Sequence, residues 1–144
     1  NPILDRELDV HQADDAQFLG KSHGLAFDFG DAIRAGANTA AEDERDLSNV
    51  ALDIDKFEAF TRGFLGVDKD ALTEAEIDSL AGGALAMTVE CGVRFLTDYL
   101  DGDKYFSVDY ETHNLVRARC QLALAKDMIA HFDEMKEIVK KYAE

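Results

Sequence analysis

Apolar residues recur at three- and four-residue steps over most of this chain, which is the spacing of one face of an α-helix. The clearest case begins at the capping box Thr73-Glu74-Ala75-Glu76 and continues to Leu100. No alternation of apolar and polar residues is long enough to form a sheet. A long amphipathic helix is therefore predicted, with these mainly apolar positions on one side: Ile77, Leu80, Ala81, Ala84, Leu85, Thr88, Cys91, Phe95, Tyr99 and Leu100.

Three more helices are predicted, at residues 31–41, at 55–65 and at 112–142. The second has the capping-box spacing of Asp55 and Glu58 before a stripe of phenylalanines. The last, at roughly 30 residues and about 45 Å, is longer than a single small core requires, which suggests a partner helix or self-association. We expect an all-α antiparallel bundle of four to five helices with a long C-terminal helix.

The chain divides at its first helix. Residues 1–26 lack the helical periodicity and are predicted to be an irregular N-terminal segment, whereas 27–144 form the helical domain. The string FDFGDAIR, at residues 27–34, marks the junction. We expect the first helix to begin there.

Three residues of this string form a predicted structural motif. Asp28 is expected to cap the helix while Gly30 lets the backbone turn, and Asp31 carries a charge that the helix dipole favours and pairs with Arg34. Asp-Phe-Gly is also a magnesium-binding signature of protein kinases, but the catalytic His-x-Asp loop that must precede it is missing here. We therefore interpret Asp28 as a cap and predict no metal site.

Composition and charge narrow the possible functions. The 144 residues are 47% hydrophobic and 31% charged, which is typical of one soluble globular domain. A net charge of -15 repels nucleic acid and anionic lipid, so we expect neither partner and a cytoplasmic location. No signal peptide or membrane span is expected, and the start at Asn1 without Met suggests processing or truncation. Cys91 and Cys120 are expected to be buried thiols.

Five strings occur in the order and spacing of a known family: 27–34, 36–44 (GANTAAEDE), 57–65 (FEAFTRGFL), 94–100 (RFLTDYL) and 113–119 (HNLVRAR). Together they resemble the C-terminal helical part of the aminoglycoside-phosphotransferase-like small-molecule kinases, and most closely the N-acetylhexosamine kinases. The resemblance runs from Gly24 to about Leu124.

This resemblance implies a two-lobed enzyme that transfers the γ-phosphoryl group of ATP to a sugar hydroxyl with magnesium. In such kinases a His-Gly-Asp loop supplies the catalytic Asp and a second Asp binds the metal. The metal Asp of these kinases comes just before a Pro-Gly turn that leads into Asp-Phe-Gly-Asp. Here His23-Gly24 stands at that turn, and residues 17–20 (QFLG) depart from the expected metal motif. The ATP-binding lobe is missing as well. The resemblance thus implies no catalytic residue and no cofactor in this chain alone, and whether the chain is an enzyme stays open.

The acceptor side of such a kinase is the part that this chain retains. Catalysis of phosphoryl transfer depends largely on positioning the substrate, and the resemblance implies a small sugar as ligand. If the two long helices pack antiparallel, these candidate substrate-binding residues converge: Arg94, Asp98, Tyr99, His113, Asn114 and Arg117.

Structural alternatives remain for several of these residues. Arg94 and Asp98 have the spacing of an intrahelical ion pair. His113 has the position of a helix-start surface or capping residue, and Arg117 could clamp a backbone carbonyl or an acidic loop.

Two functions follow as expectations. The first is a truncated or degenerate acceptor-side part of a sugar phosphotransferase, inactive on its own. The alternative is a stand-alone helical interaction module, a homo-oligomer that self-associates through the surface vacated by the missing ATP lobe. A weaker third possibility is a small-ligand binder that retains affinity for sugars.

Overall fold

The computed structural model describes residues 24–144. Of these, 74% are helical and none lies in a strand, so the predicted all-α helical bundle is confirmed. Two single 3₁₀ turns, Leu47–Asn49 and Lys69–Ala71, lie between α-helices in sequence. Within the described part the α-helices number six: α1 (24–36), α2 (Ile54–Asp68), α3 (Glu74–Asp78), α4 (Leu80–Leu100), α5 (His113–Ala130) and α6 (Phe132–Ala143).

The antiparallel pair α4 and α5 forms the centre of the bundle. Thr88 of α4 lies 3.6 Å from the sulfur of Met128, which is near the end of α5. A side chain at Gly92 would place its Cβ 3.1 Å from Leu122. The two helices therefore approach closely because α4 has no side chain at this point.

Helix α1 packs closely against α4. A Cβ added at Gly30 would lie 3.2 Å from the carbonyl oxygen of Gly83 and 3.2 Å from the Cβ of Met87. On its other side α1 buries Phe29, whose ring meets that of Phe57 edge-on at 6.1 Å between centroids. Gly30 therefore permits a helix contact and does not form the turn expected from the sequence.

The start of α1 corrects two predictions. Residues 24–26 are already helical, so the boundary predicted at residue 26 falls inside α1, and the rest of the predicted irregular segment lies outside the described residues. Asp28 is an exposed residue within the helix and does not cap it. The predicted pairing in the same string is confirmed, because Arg34 Nη2 lies 2.8 Å from Asp31 Oδ1.

The chain leaves α1 at residue 36, and the helix predicted to reach 41 is shorter. Asn38 forms an isolated antiparallel bridge with Leu52. The backbone N–H of Asp53 donates to the carbonyl of Ala37 at 2.7 Å. These long-range backbone bonds replace the helical ones that residues 37–41 would have made.

The start of α2 and the end of α3 also differ from the prediction. Asp53, not Asp55, caps α2, and its carboxylate accepts from the N–H of Lys56 at 3.1 Å. The capping box of Thr73 and Glu76 is confirmed, but the helix that it opens ends at Asp78. The hydroxyl of Ser79 donates to the Glu76 carbonyl at 2.7 Å, a local bond that competes with helical hydrogen bonding and marks the break before α4.

The predicted single C-terminal helix is wrong, since it is interrupted at His131 between α5 and α6. A ring nitrogen of His131 lies 2.9 Å from the Asp127 carbonyl. Beyond the break, Lys141 and Tyr142 both bond Glu58 of α2. The end of the chain therefore packs on the bundle and does not extend past it.

Helix α4 also passes a simple test for a membrane span. By length and composition it is apolar enough to cross a bilayer, with a mean hydropathy of 1.2, whereas the sequence analysis predicts no membrane span. Core helices pass the same test, although only 33% of the most apolar window of α4 is buried in the bundle. Much of its apolar surface is therefore not used by the core.

The contact at Gly30 predicts a position-specific effect on stability. Gly30→Leu should lower the free energy of unfolding by about 1–3 kcal/mol, because the new side chain meets the α4 backbone. The matched Gly63→Leu variant, whose Cβ would meet nothing within 4 Å, should gain up to about 1 kcal/mol from helix propensity. Urea unfolding measures both, and equal effects would contradict the close contact.

Candidate functional site at the end of α4

The site lies where α4 ends, the chain reverses and α5 begins. Gly102 and Asp103 both have positive φ angles, 93° and 58°, which turn the backbone sharply. The N–H of Asp103 donates to the Asp98 carbonyl at 2.8 Å. The connection over residues 101–112 is thus folded back against the last turn of α4.

The carboxylate of Asp98 holds this connection. It is 6% exposed and accepts from the backbone N–H groups of Tyr105 at 2.8 Å and Phe106 at 2.9 Å. The side-chain amide of Asn114 donates to it at 2.8 Å. Burial raises the pKa of the Asp98 carboxyl, but the hydrogen bonds from these two N–H groups, Lys104 and Asn114 outweigh it and hold the pKa below its usual value.

Asn114 and Arg117 extend this network along α5. Asn114 also donates to Asp103 at 3.0 Å and accepts from Arg117 Nη1 at 3.1 Å. The same Arg117 nitrogen donates to the carbonyl of Ser107 at 3.0 Å, while its guanidinium lies 5.5 Å from the ring centre of Phe95. Arg117 therefore clamps a backbone carbonyl, one of the two alternatives that the sequence left open.

His113 is buried at the first position of α5. Its Nδ1 accepts from the N–H of Asp109 at 3.1 Å, so Nε2 carries the proton and donates to Asp43 at 3.0 Å. The imidazole stacks on Tyr110 with 4.5 Å between ring centres. His113 thus ties the acidic segment 42–46 (EDERD), which follows α1, to the start of α5.

A small depression opens beside Asp98. Its volume is about 280 Å³. The guanidinium of Arg94 lies over the rings of Tyr105 and Phe106, at 5.5 and 5.7 Å, and does not pair with Asp98. Tyr105 is 74% exposed. The residues that line the depression are Arg94, Thr97, Asp98, Asp101, Tyr105 and Phe106.

The structure places all six predicted residues at one end of the bundle, but in different positions there. Arg94 and Asp98 line the depression. Asn114 and Arg117 stand behind Asp98 in its hydrogen-bond network, whereas His113 bonds Asp43 and Asp109 instead. Tyr99 is half-buried and, being one residue past Asp98, points about 100° away around α4.

Sequence reasoning did not identify the other lining residues, Thr97, Asp101, Tyr105 and Phe106, as binding residues. The aromatic pair after Asp101-Gly102-Asp103 was the available signal.

A second polar cluster joins α1 to α5. Arg34 bonds Asp31 and Glu42, and its Nη1 lies 3.4 Å from Oε1 of the fully buried Gln121. Burial lowers the pKa of Arg34, but the hydrogen bonds that its guanidinium donates to Glu42 and Asp31 outweigh burial and raise the pKa above its usual value. This cluster fixes α1 and its following connector on α5.

No protein-family model matches this sequence. Within residues 24–144, no group of three or more His, Cys, Asp or Glu side chains is placed to hold a metal ion. The likeness to the small-molecule kinases therefore rests on the five strings alone.

The low pKa of Asp98 predicts how stability depends on pH. A carboxyl whose pKa is lowered by folding stabilises the protein above its unfolded pKa of about 3.9, and that contribution is lost as the pH falls through the folded pKa. Asp98→Asn should therefore be less stable than wild type at neutral pH, by a margin that shrinks on acidification below about pH 4. Asp78→Asn, at an exposed position, is the control. Denaturant unfolding across this range measures the margin, and one that did not change with pH would contradict the assignment.

Proposed function

We propose that this chain is the acceptor-side helical part of an ATP-dependent small-molecule phosphotransferase, and that the depression at the end of α4 binds a sugar. The observation that carries the proposal is where the resembling strings meet. Asp43, from residues 36–44, bonds His113, and Asp98, from residues 94–100, bonds Asn114. Three of the five strings thus meet at the start of α5, through two separate sets of hydrogen bonds near the depression.

The lining of the depression suits a monosaccharide. An exposed aromatic face such as Tyr105 packs against the C–H groups of a sugar ring, while Arg94, Thr97 and Asp101 supply hydrogen-bonding groups around it. At about 280 Å³ it lies near the lower limit of ligand sites, roughly 300 Å³, which favours a small ligand. Asp98 and Asn114 serve here as positioning residues, because their polar groups already bond the protein.

The reaction class fits a division of labour between parts of a larger protein. Phosphoryl transfer needs little covalent chemistry from the protein, so orientation of the acceptor hydroxyl is a substantial share of catalysis. In this proposal the helical part orients the acceptor, and nucleotide and magnesium are bound elsewhere.

Sugar binding should depend on Tyr105. Titration of N-acetylglucosamine or N-acetylgalactosamine at millimolar concentrations should shift NMR signals of the residues that line the depression. Tyr105→Ala should weaken binding by about tenfold through loss of the aromatic face, with little change in stability because the side chain is exposed. Val67→Ala, 83% exposed on α2, should bind as wild type does. Chemical-shift changes that do not saturate with sugar concentration, or equal sugar affinity of the two variants, would refute the site.

The chain alone should not transfer phosphate. In a coupled assay with ATP, magnesium and these sugars, we expect no ADP release above background. The strings that resemble the kinases contain neither the nucleotide-binding lobe nor the catalytic Asp. Turnover that follows the protein through purification would contradict this prediction without bearing on sugar binding.

A further inference from the structure

A second apolar face runs along α4, apart from the one that packs in the core. Its six positions follow alternating steps of four and three residues, which is the heptad spacing of a coiled-coil seam. None of them is charged. We call this face the α4 stripe, and its members are Gly82, Ala86, Val89, Val93, Leu96 and Leu100.

The stripe faces away from the bundle. At 100° per residue its centre lies about 140° around the helix from the centre of the residues that α4 buries. Val89 is 38% exposed, Val93 51% and Leu100 75%. A surface helix normally presents polar residues on this side, so the core does not explain the stripe.

The stripe is tapered, and the taper is self-complementary. Small residues, Gly82 and Ala86, stand at its N-terminal end, and Leu96 and Leu100 stand at its C-terminal end. Two stripes laid antiparallel place Leu100 on Gly82, Leu96 on Ala86 and Val93 on Val89 in a single register. A parallel pair would instead crowd leucines at one end and leave a gap at the other.

We propose that a second copy of this chain docks on the α4 stripe, antiparallel, and so forms a two-fold symmetric dimer. A two-fold interface uses the same patch on both copies, which is what the taper provides. The proposal does not depend on sugar binding, because the stripe and the depression occupy different sides of α4.

The size of the stripe indicates a reversible dimer. Its 18 residue steps span about 27 Å, and with side chains a helix is roughly 10 Å wide. A strip of these dimensions is roughly 270 Å² on each copy and roughly 540 Å² for the pair, which is below the ~1,000 Å² of a stable specific interface and indicates weak association. Each copy carries a net charge of -15, so association should also strengthen with salt.

The test is sedimentation velocity of the full chain over a series of concentrations. Wild type should pass from monomer to dimer in the micromolar range, at lower concentration when salt is raised. Val93→Glu, which buries a charge at the centre of the pair, should weaken association by at least about tenfold. Ile129→Glu changes a residue that is 62% exposed on α5, and it should dimerise as wild type does.

Cross-linking tests the orientation. Gly82→Cys and Leu100→Cys proteins, mixed and oxidised, should form a disulfide between copies, whereas Leu100→Cys alone should not exceed the background of wild type. Efficient cross-linking of Leu100→Cys alone would mean parallel pairing and would overturn the register.

A wild type that stays monomeric at all concentrations would overturn the proposal, and two further measurements identify the reason. If the Val93→Glu protein then has a much lower melting temperature than the Ile129→Glu protein, the stripe is covered by another part of the same chain. Residues 1–23 would be the candidate for that covering segment. If phosphatidylcholine vesicles retain wild type but not Val93→Glu, the stripe binds lipid. A dimer that survives Val93→Glu would equally exclude this surface, and sugar binding should be unchanged in every case.

Discussion

The carboxylate of Asp98 is the interaction on which the arrangement of α4, α5 and the segment between them depends. A buried carboxylate is costly unless its oxygens are hydrogen-bonded, and this one is satisfied by two backbone N–H groups and the amide of Asn114. Those donors come from the segment after the reversal and from α5, so one charge on α4 fixes both the loop and the first turn of α5. The exposed ring of Tyr105 is held in place as a consequence, and with it the proposed sugar site.

Helix α4 carries three different roles around its circumference and length. One face packs on α5, where Gly92 permits close contact, and Gly83 is approached by Gly30 of α1. Its last turns carry Asp98, and its outer face carries the apolar stripe. Because core and stripe together make the helix apolar over most of its surface, composition alone cannot separate a core helix, a membrane span and a dimer interface. The exposure of Val93 and Leu100 shows only that the core does not account for this outer face.

The sequence predicted correctly those features that depend on interactions between residues close together in the chain. The box of Thr73 and Glu76 and the pairing of Asp31 with Arg34 need only neighbours in sequence, and both were predicted. The breaks at Ser79 and His131 were missed, because the apolar periodicity continues through them and the break comes from side-chain bonds and from α6 packing on α2.

Only part of the candidate site could be predicted from the sequence. Thr97, Asp101, Tyr105 and Phe106, which also line the depression, were not identified as binding residues. A matching string does not distinguish residues that hold a scaffold from residues that touch a ligand. His113 and Asn114 belong to the first kind, since Asp43, Asp109 and Asp98 occupy their polar atoms. The groups left available for a ligand are at the edges of the strings and in the loop between them, where exposure and not periodicity identifies them. A binding surface in this chain is therefore identified from the exposed atoms that are not already hydrogen-bonded within the buried network.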